Sequence, residues 1–394
     1  MRLGFHYHIP ATSYHNKVVM PAYLGLFIDS LASFCESLVC FQHSPLGIES
    51  IQMDYFIKSE NVTLVNLGPH TSIPLRTISG FLRRKLFNDQ KYALDAMLVR
   101  TPTPLLPILA SEWKKPLVLM IVADNLTGLE NLPQPIWRRK LMHLWALWLD
   151  LNQQSVSKHS LNFVNSHLLF NQLQPSTQNL IETRTTTLCK NDFFERYDTC
   201  QNPPYHLLFT GRLTRSKGLF EIVTSISQLV TLGFDVVLDM VGMVEKGDSV
   251  LDELKNLAIS LGVADRITYH GYKTAGPTLL DFYRKADIYV IAPQASSEGF
   301  PRTIWEAMAS SIPVVATKVG SIPDFIEDAA LLVPPKDAAA LTIAISTLLT
   351  NSEIRRLLIS KGMIVARENT LEKRAEEMIS SIQFWLDRSS DINY

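Results

Sequence analysis

The chain has 394 residues, 46% of them hydrophobic and 19% charged, with a formal net charge of −1. Such a composition is globular, the length exceeds one compact core so that two domains are expected, and the balanced charge without a long Lys/Arg run excludes a nucleic-acid binder. Split at the Pro-rich junction near Pro203 and Pro204, the charge is about +3 before it and about −4 after it, so the first half is the one suited to anionic material.

Met1-Arg-Leu-Gly-Phe-His-Tyr-His8 reads as a strand that opens a domain, without the apolar core or small-residue cleavage site of a secretory signal. No stretch approaches the roughly 20 apolar residues that span a bilayer. A cytoplasmic location is expected, and Cys35, Cys40, Cys189 and Cys200 fit it as buried thiols with no CxxC or zinc-finger spacing. Short apolar runs then alternate with helical periods. Strands are predicted near Arg2–His8, Leu38–Gln42, Val62–Leu67, Ala96–Arg100, Leu117–Val122 and Leu161–Asn165, and again near Leu207–Thr210, Val236–Val241, Ile267–His270, Ile288–Ala292, Val314–Thr317 and Leu331–Val333. This is the α/β pattern of two parallel sheets covered by helices on both faces, with ligands beyond the strand C-terminal ends and so in an interdomain cleft. A last helical period covers about Leu371–Leu386.

In the first half, His6 and His8 share a strand face, with His8 nearest the cleft as a polar contact. No Cys, Asp or Glu cluster joins them, so no metal is expected. Phe81–Phe87 and the run from Trp137 through Arg138, Arg139 and Lys140 to Trp148 mix basic and aromatic residues as interfacial helices do. The Trp-rich run is apolar nearly all round after Lys140, which favours core packing, whereas Phe81–Phe87 stays open between packing and weak docking to an anionic lipid surface.

Two runs in the second half carry chemistry. Leu207-Leu-Phe-Thr-Gly211-Arg212-Leu-Thr-Arg-Ser-Lys217-Gly218 is an apolar strand entering a Gly-bounded basic loop and then a helix. Arg212 can offer a bidentate fork and Lys217 a point charge to a diphosphate, with Gly218 allowing close backbone approach. In Glu298-Gly299-Phe300-Pro301-Arg302-Thr-Ile-Trp-Glu306, Pro301 suits a first helical position, so Glu298 falls in the loop and Glu306 about a turn and a half into the helix. The N–H groups after Gly299 suit a phosphate, and the two carboxylates suit hydroxyls on either side of it, the layout of a sugar nucleotide.

These runs resemble glycosyltransferase family 4, retaining enzymes of the GT-B fold with a Glu-x7-Glu signature. The resemblance is close from about Tyr205 to Leu349 and looser before it. It implies two Rossmann-like domains, 1–203 binding the acceptor and 204–370 the donor, with the helix of 371–394 crossing back to the first. By position Glu298 would meet the donor sugar, Glu306 the ribose, and Arg212 and Lys217 the diphosphate, with Gly299, Phe300, Pro301 and Arg302 completing the donor loop. Tyr272, after Gly271, stands where the base-binding segment does, though a rim aromatic is equally compatible. Where many members carry a Gly-Gly loop this chain has Gly25 alone, leaving the donor phosphate to Gly25 or wholly to the second domain. Asp124, with Asn125, occupies the place of an acceptor-side catalytic group, and a turn-capping Asp is the competing reading.

The resemblance thus implies metal-independent transfer of a hexosyl unit from a nucleoside-diphosphate sugar, a UDP-sugar slightly ahead of GDP-mannose, to a hydroxyl of a glycan, lipid-linked or small-molecule acceptor. Cell-surface polysaccharide or glycolipid synthesis is the implied setting, on the cytoplasmic face and peripheral at most. The nucleotide sugar is a substrate and no cofactor is expected. A GT-B sugar-nucleotide epimerase and an inactive sugar-nucleotide-binding partner subunit remain alternatives.

Overall fold

Strands such as Ile288–Ile291 and Val314–Thr317 are buried at every position and largely apolar, as strands covered on both faces are. The computed structural model describes residues 1–87, 93–123, 126, 135–245, 247–294, 300–326 and 328–391. Each predicted strand forms, with ends within two residues of expectation in most cases. The strands are β1 (Arg2–His6), β2 (Thr12–Tyr14), β3 (Lys17–Met20), β4 (Ser37–Ser44), β5 (Tyr55–Phe56), β6 (Val62–Pro69), β7 (Ala96–Thr101), β8 (Leu117–Ile121), β9 (Leu161–Val164) and β10 (Leu180–Glu182) in the first part of the chain. The second part holds β11 (Tyr205–Thr210), β12 (Val236–Val241), β13 (Ile267–Tyr269), β14 (Ile288–Ile291), β15 (Val314–Thr317) and β16 (Leu331–Val333).

The first sheet has the order β10-β9-β8-β7-β1-β4-β6 and the second β13-β12-β11-β14-β15-β16, with parallel pairing throughout both. Each is doubly wound. The chain leaves the founding strand in one direction, then returns to its other side, so the order reverses between β1 and β7 and between β11 and β14. The small antiparallel sheet β2-β3-β5 and the edge strand β10 were not anticipated. The β2–β3 hairpin turns on His15 and Asn16, both at positive φ (47° and 60°), the left-handed pair that a two-residue hairpin turn requires.

The chain divides into two compact units, Met1–Thr185 with Glu372–Tyr394, and Thr186–Leu371. The division falls before the Pro203–Pro204 junction at which the sequence was split, because the intervening segment is tied to the second unit. Leu188 is 1% exposed in that unit's core, Cys200 N–H donates to Asp287, and Arg196 donates to the Arg284 and Ala286 carbonyls. Asp198 forms a bidentate pair with Arg355 at 2.7 and 3.0 Å, nearly out of water, where breaking one partner would leave a buried charge. The last helix runs Leu371–Asp391, and from Glu372 it groups with the first unit.

The Trp-rich segment departs from the expected core packing. The helix Ile136–Ser157 buries Ala146, Leu149, Gln153 and Ser157, whereas Trp137 is 65%, Leu141 58%, Leu144 63%, Trp148 40% and Leu151 64% exposed. Reading the segment as apolar all round missed that Ala146, Leu149 and Gln153 suffice to seat one face. Phe81–Phe87 divides: Phe81 and Leu82 are exposed, and Phe87 is fully buried against Phe41. No helix among the described residues is long and apolar enough to cross a membrane. Cys40 and Cys200 are buried and Cys35 and Cys189 half-buried, all four free; burial pushes the Cys40 thiol up to about 12.

Candidate functional site

The loops at the C-terminal ends of the second sheet hold one another closely. After β11 comes Gly211, then the short turn Arg215–Lys217, then Gly218 in the left-handed region (φ 66°) as N-cap of the helix Leu219–Thr231. A Cβ on Gly218 would stand 1.9 Å from the Ala292 carbonyl oxygen, just beyond β14, and Gln294 N–H donates to the Ser216 carbonyl at 2.9 Å. The loops of β11 and β14, on either side of the switch in strand order, are therefore fastened together. On the other flank a Cβ on Gly242 would meet the Gly211 carbonyl oxygen at 1.7 Å, and Gly242 N–H donates to the Gly271 carbonyl. Only glycine permits these backbone approaches.

Among the basic residues of the loop, partners separate the roles. Arg215 is held by Asp248 at 3.1 Å and by Glu253, whose hydrogen bond raises the Arg215 pKa further. Arg212 is exposed and pairs with Glu245 at 3.6 Å, an exposed pair that a ligand phosphate can replace at little cost. Lys217 is half-buried in the turn beside Gly218. Tyr272 is 54% exposed beyond Gly271, and the neighbouring Lys273 ammonium lies 5.9 Å from the Phe282 ring.

Glu298 and Gly299 lie outside the described residues. The Phe300 ring packs tilted against that of Trp305, centroids 4.3 Å apart, Pro301 is buried, and Arg302 holds the N-cap position of the helix Thr303–Ala309. The helix begins two residues later than expected from Pro301, which puts Glu306 in its first turn, where a negative charge is favoured. Glu306 is 7% exposed and its carboxylate is built into a buried network. One oxygen accepts from Thr187 Oγ1 at 2.5 Å, the other from Tyr283 Oη at 2.7 Å. Thr210 Oγ1 stands 2.6 Å from the Tyr283 hydroxyl and 3.2 Å from that of Tyr289. Burial, then the Glu306 charge, hold the Tyr283 phenol well above its ordinary value, so it stays a proton donor. An ionised carboxylate has about four acceptor positions, and side chains of the described residues fill two of them. Thr187 and Tyr283 carry no signal in the sequence, since neither lies near the motif they serve.

In the first unit the strand ends collect histidines. His6 ends β1, fully buried: Nδ1–H donates to the Phe41 carbonyl at 2.7 Å, so Nε2 accepts from Thr103 Oγ1 at 2.8 Å. Burial lowers its pKa to about 3. His43 on β4 is 1% exposed, with Nδ1 3.3 Å from the Gly68 carbonyl and Nε2 without a partner among the described residues. His70, after β6, pairs Nδ1 with Glu49 at 2.6 Å and Nε2 with the buried Arg76 guanidinium at 2.7 Å. His8 is half-buried, its ring 4.3 Å from that of Tyr7. Burial, then Arg76, hold both His8 and His43 at about 4, with Arg100 adding to the effect on His8 and Arg83 to that on His43. Only His6 and His8 were singled out; the recurrence of His at successive strand ends was the readable signal for His43 and His70.

Gly25 sits inside the helix Ala22–Ala32, its N–H donating to the Pro21 carbonyl at 2.9 Å, and a Cβ there would meet the Tyr55 ring at 2.2 Å. Helix geometry and ring packing account for this glycine. Asp124 and Asn125 lie outside the described residues. Among the described residues no group of three or more His, Cys, Asp or Glu is placed to hold a metal ion.

Residues 196–363 match the family model described as glycosyl transferases group 1. The capsular polysaccharide biosynthesis glycosyltransferase CapM of Staphylococcus aureus is 24% identical over 55% of this chain and 53% of its own length. The lipopolysaccharide core biosynthesis mannosyltransferase LpsB of Rhizobium meliloti is 41% identical over 23% of this chain and 26% of its own. The chain thus matches about half the length of the first relative and about a quarter of the second. Among solved structures, sucrose-phosphate synthase from Thermosynechococcus elongatus superposes with a TM-score of 0.73 at 18% identity, covering 98% of this chain and 99% of that one. Anabaena HepE in complex with UDP and glucose gives 0.70 at 16%, covering 97% and 99%. The fold is GT-B, two Rossmann-like units of parallel sheet, and the second unit carries the family match.

Proposed function

We propose that the chain is a retaining glycosyltransferase that moves a hexosyl unit from a nucleoside-diphosphate sugar to a hydroxyl. The observation that carries this reading is the fastening of the Gly211–Gly218 basic loop to the loop of β14 at the switch in strand order, within the segment that matches the family. In a doubly wound sheet that switch is where a nucleotide binds. Arg212 and Lys217 would take the diphosphate, whose negative charge grows as the glycosidic oxygen departs, so contacts that strengthen with that charge lower the barrier. They would supply what a divalent metal supplies elsewhere. Glu306 would accept from the ribose hydroxyls and Glu298 from those of the sugar, with Tyr272 at the base. The first unit, with His8, Asp124 and Asn125, would take the acceptor.

CapM and LpsB are named for capsule and lipopolysaccharide synthesis, which supports a glycan or lipid-linked acceptor. HepE was solved with UDP and glucose, which supports a UDP-sugar donor. Work at the cytoplasmic face of a membrane follows from such an acceptor. Pure protein mixed with labelled UDP-sugars or GDP-mannose tests the reading: slow release of the free sugar from one donor is expected. Isomerisation of the sugar without release would make the chain an epimerase, and binding without turnover in the presence of a range of acceptors a partner subunit.

A further inference from the structure

The first unit buries one side of its helical layer and leaves the other apolar. The helix Ile73–Leu82 packs on the helix Leu106–Glu112 through Gly80, where a Cβ would meet Leu105 at 2.6 Å and Ile108 at 2.8 Å. The helix Ile136–Ser157 also packs on Leu106–Glu112, so the three share one face of the sheet. On the outer side Trp137, Leu141, Leu144, Trp148 and Leu151 repeat every three or four residues, a stripe about 21 Å long at 1.5 Å per residue. Leu75, Ile78 and Leu82, 55%, 57% and 82% exposed, form a second stripe on Ile73–Leu82. Exposed apolar area on this scale marks a surface that something covers.

Charge narrows the choice of what covers it. Residues 73–87 and 136–157 hold seven Lys/Arg and one acid, Asp150, which is half-buried. Arg84, Lys85, Arg138 and Lys140 are exposed at the ends of the two stripes. Trp137 and Trp148 belong to the long one, and indole favours the level between hydrocarbon and water. We infer that these two helices lay the first unit on an anionic lipid bilayer, with the apolar stripes in the headgroup boundary and the flanking cations on the phosphates. The contact is interfacial, since no described helix is built to span. It deepens the proposed reading by placing the enzyme where a lipid-linked acceptor resides, but it is measurable without turnover.

The test sediments the full chain with sucrose-loaded vesicles of three parts phosphatidylcholine to one part phosphatidylglycerol, against phosphatidylcholine alone. Binding to the anionic vesicles only is expected, with a blue shift in tryptophan emission and loss of binding at high salt. Leu144→Glu with Trp148→Glu, and separately Arg138→Glu with Lys140→Glu, should each weaken vesicle binding at least tenfold with the melting temperature unchanged. Light scattering of the free protein is run alongside. Variants that sediment like the parent overturn the inference, as does a dimer that Leu144→Glu dissociates while the parent ignores vesicles, which assigns the stripe to a second copy. Both variants should keep donor turnover with a water-soluble acceptor. If no turnover exists at all, the transferase reading fails and the vesicle result stands by itself.

Discussion

The Tyr283 hydroxyl donates to the Glu306 carboxylate at 2.7 Å, 23 residues away in sequence and out of water. The glutamate assigned to the ribose is therefore also a structural anchor, and its substitution should show in two measurements at once. In Glu306→Gln an amide N–H replaces one acceptor oxygen and faces a hydroxyl donor, which should remove about 1–3 kcal/mol of stability and raise the donor KM. Tyr283→Phe deletes only internal bonds, those to Glu306 and Thr210, so it should lower stability by about 1–3 kcal/mol and leave the donor KM nearly unchanged. Melting curves and steady-state kinetics on both variants decide: a Glu306→Gln enzyme that is less stable but has the parental KM has lost an anchor and no ribose contact.

Arg212 and Arg215 stand three residues apart and should behave differently. Arg212→Ala and Lys217→Ala are each expected to raise the barrier by about 2–4 kcal/mol at unchanged melting temperature, because the contact to the leaving diphosphate strengthens in the transition state. Arg215→Ala, which loses Asp248 and Glu253, should barely change turnover. Rates equal across the three variants would remove the diphosphate role.

The second unit was readable because its strands are short, largely apolar and separated by glycine-marked loops, and because Arg212, Lys217 and Glu306 lie on those loops or one turn beyond. What partners Glu306 was not readable. Thr187 reaches it from the segment before the proline junction and Tyr283 from a separate helix, contacts that arise only once the unit is folded. The Trp-rich helix misled for a related reason: a helix seats itself on a few residues, here Ala146, Leu149 and Gln153, while most of its large apolar ones stay outside. Periodicity reports that a face exists and does not say what covers it.

Gly218 offers a test of the loop itself. Alanine there would take a left-handed backbone and place a methyl carbon 1.9 Å from the Ala292 carbonyl oxygen, so Gly218→Ala should cost roughly 2 kcal/mol or more and part the two loops. Donor affinity, followed by thermal shift with UDP, should fall with it. A variant of parental stability and affinity would show that the fastening is dispensable.

Chelation separates cation chemistry from metal chemistry. If Arg212 and Lys217 neutralise the diphosphate, turnover should survive excess EDTA, because no ion is needed to hold the leaving group. An absolute need for manganese or magnesium, measured by restoring activity after chelation, would overturn that part of the mechanism.

His6 makes the first unit acid-sensitive in a defined direction. Burial holds its folded pKa at about 3, against an ordinary value of 6.5, so between these limits the unfolded chain binds a proton that the folded one does not. Stability is then fully present above about 6.5 and falls as pH drops through the window, by up to about 1.4 kcal/mol per pH unit for one such group. His8 and His43, held at about 4 by burial and Arg76, steepen the fall, while Arg100 near His8, Arg83 near His43 and the His70–Glu49 pair also face this edge. Hydrogen exchange of the β1 and β4 amides at stepped pH reports this unit alone. In the parent the opening free energy should decline below about pH 6.5, and in His6→Gln it should decline less steeply whatever its absolute level. Equal slopes in the two proteins would mean that His6 takes up its proton without unfolding, and that its bonds to Phe41 and Thr103 do not enforce the neutral form.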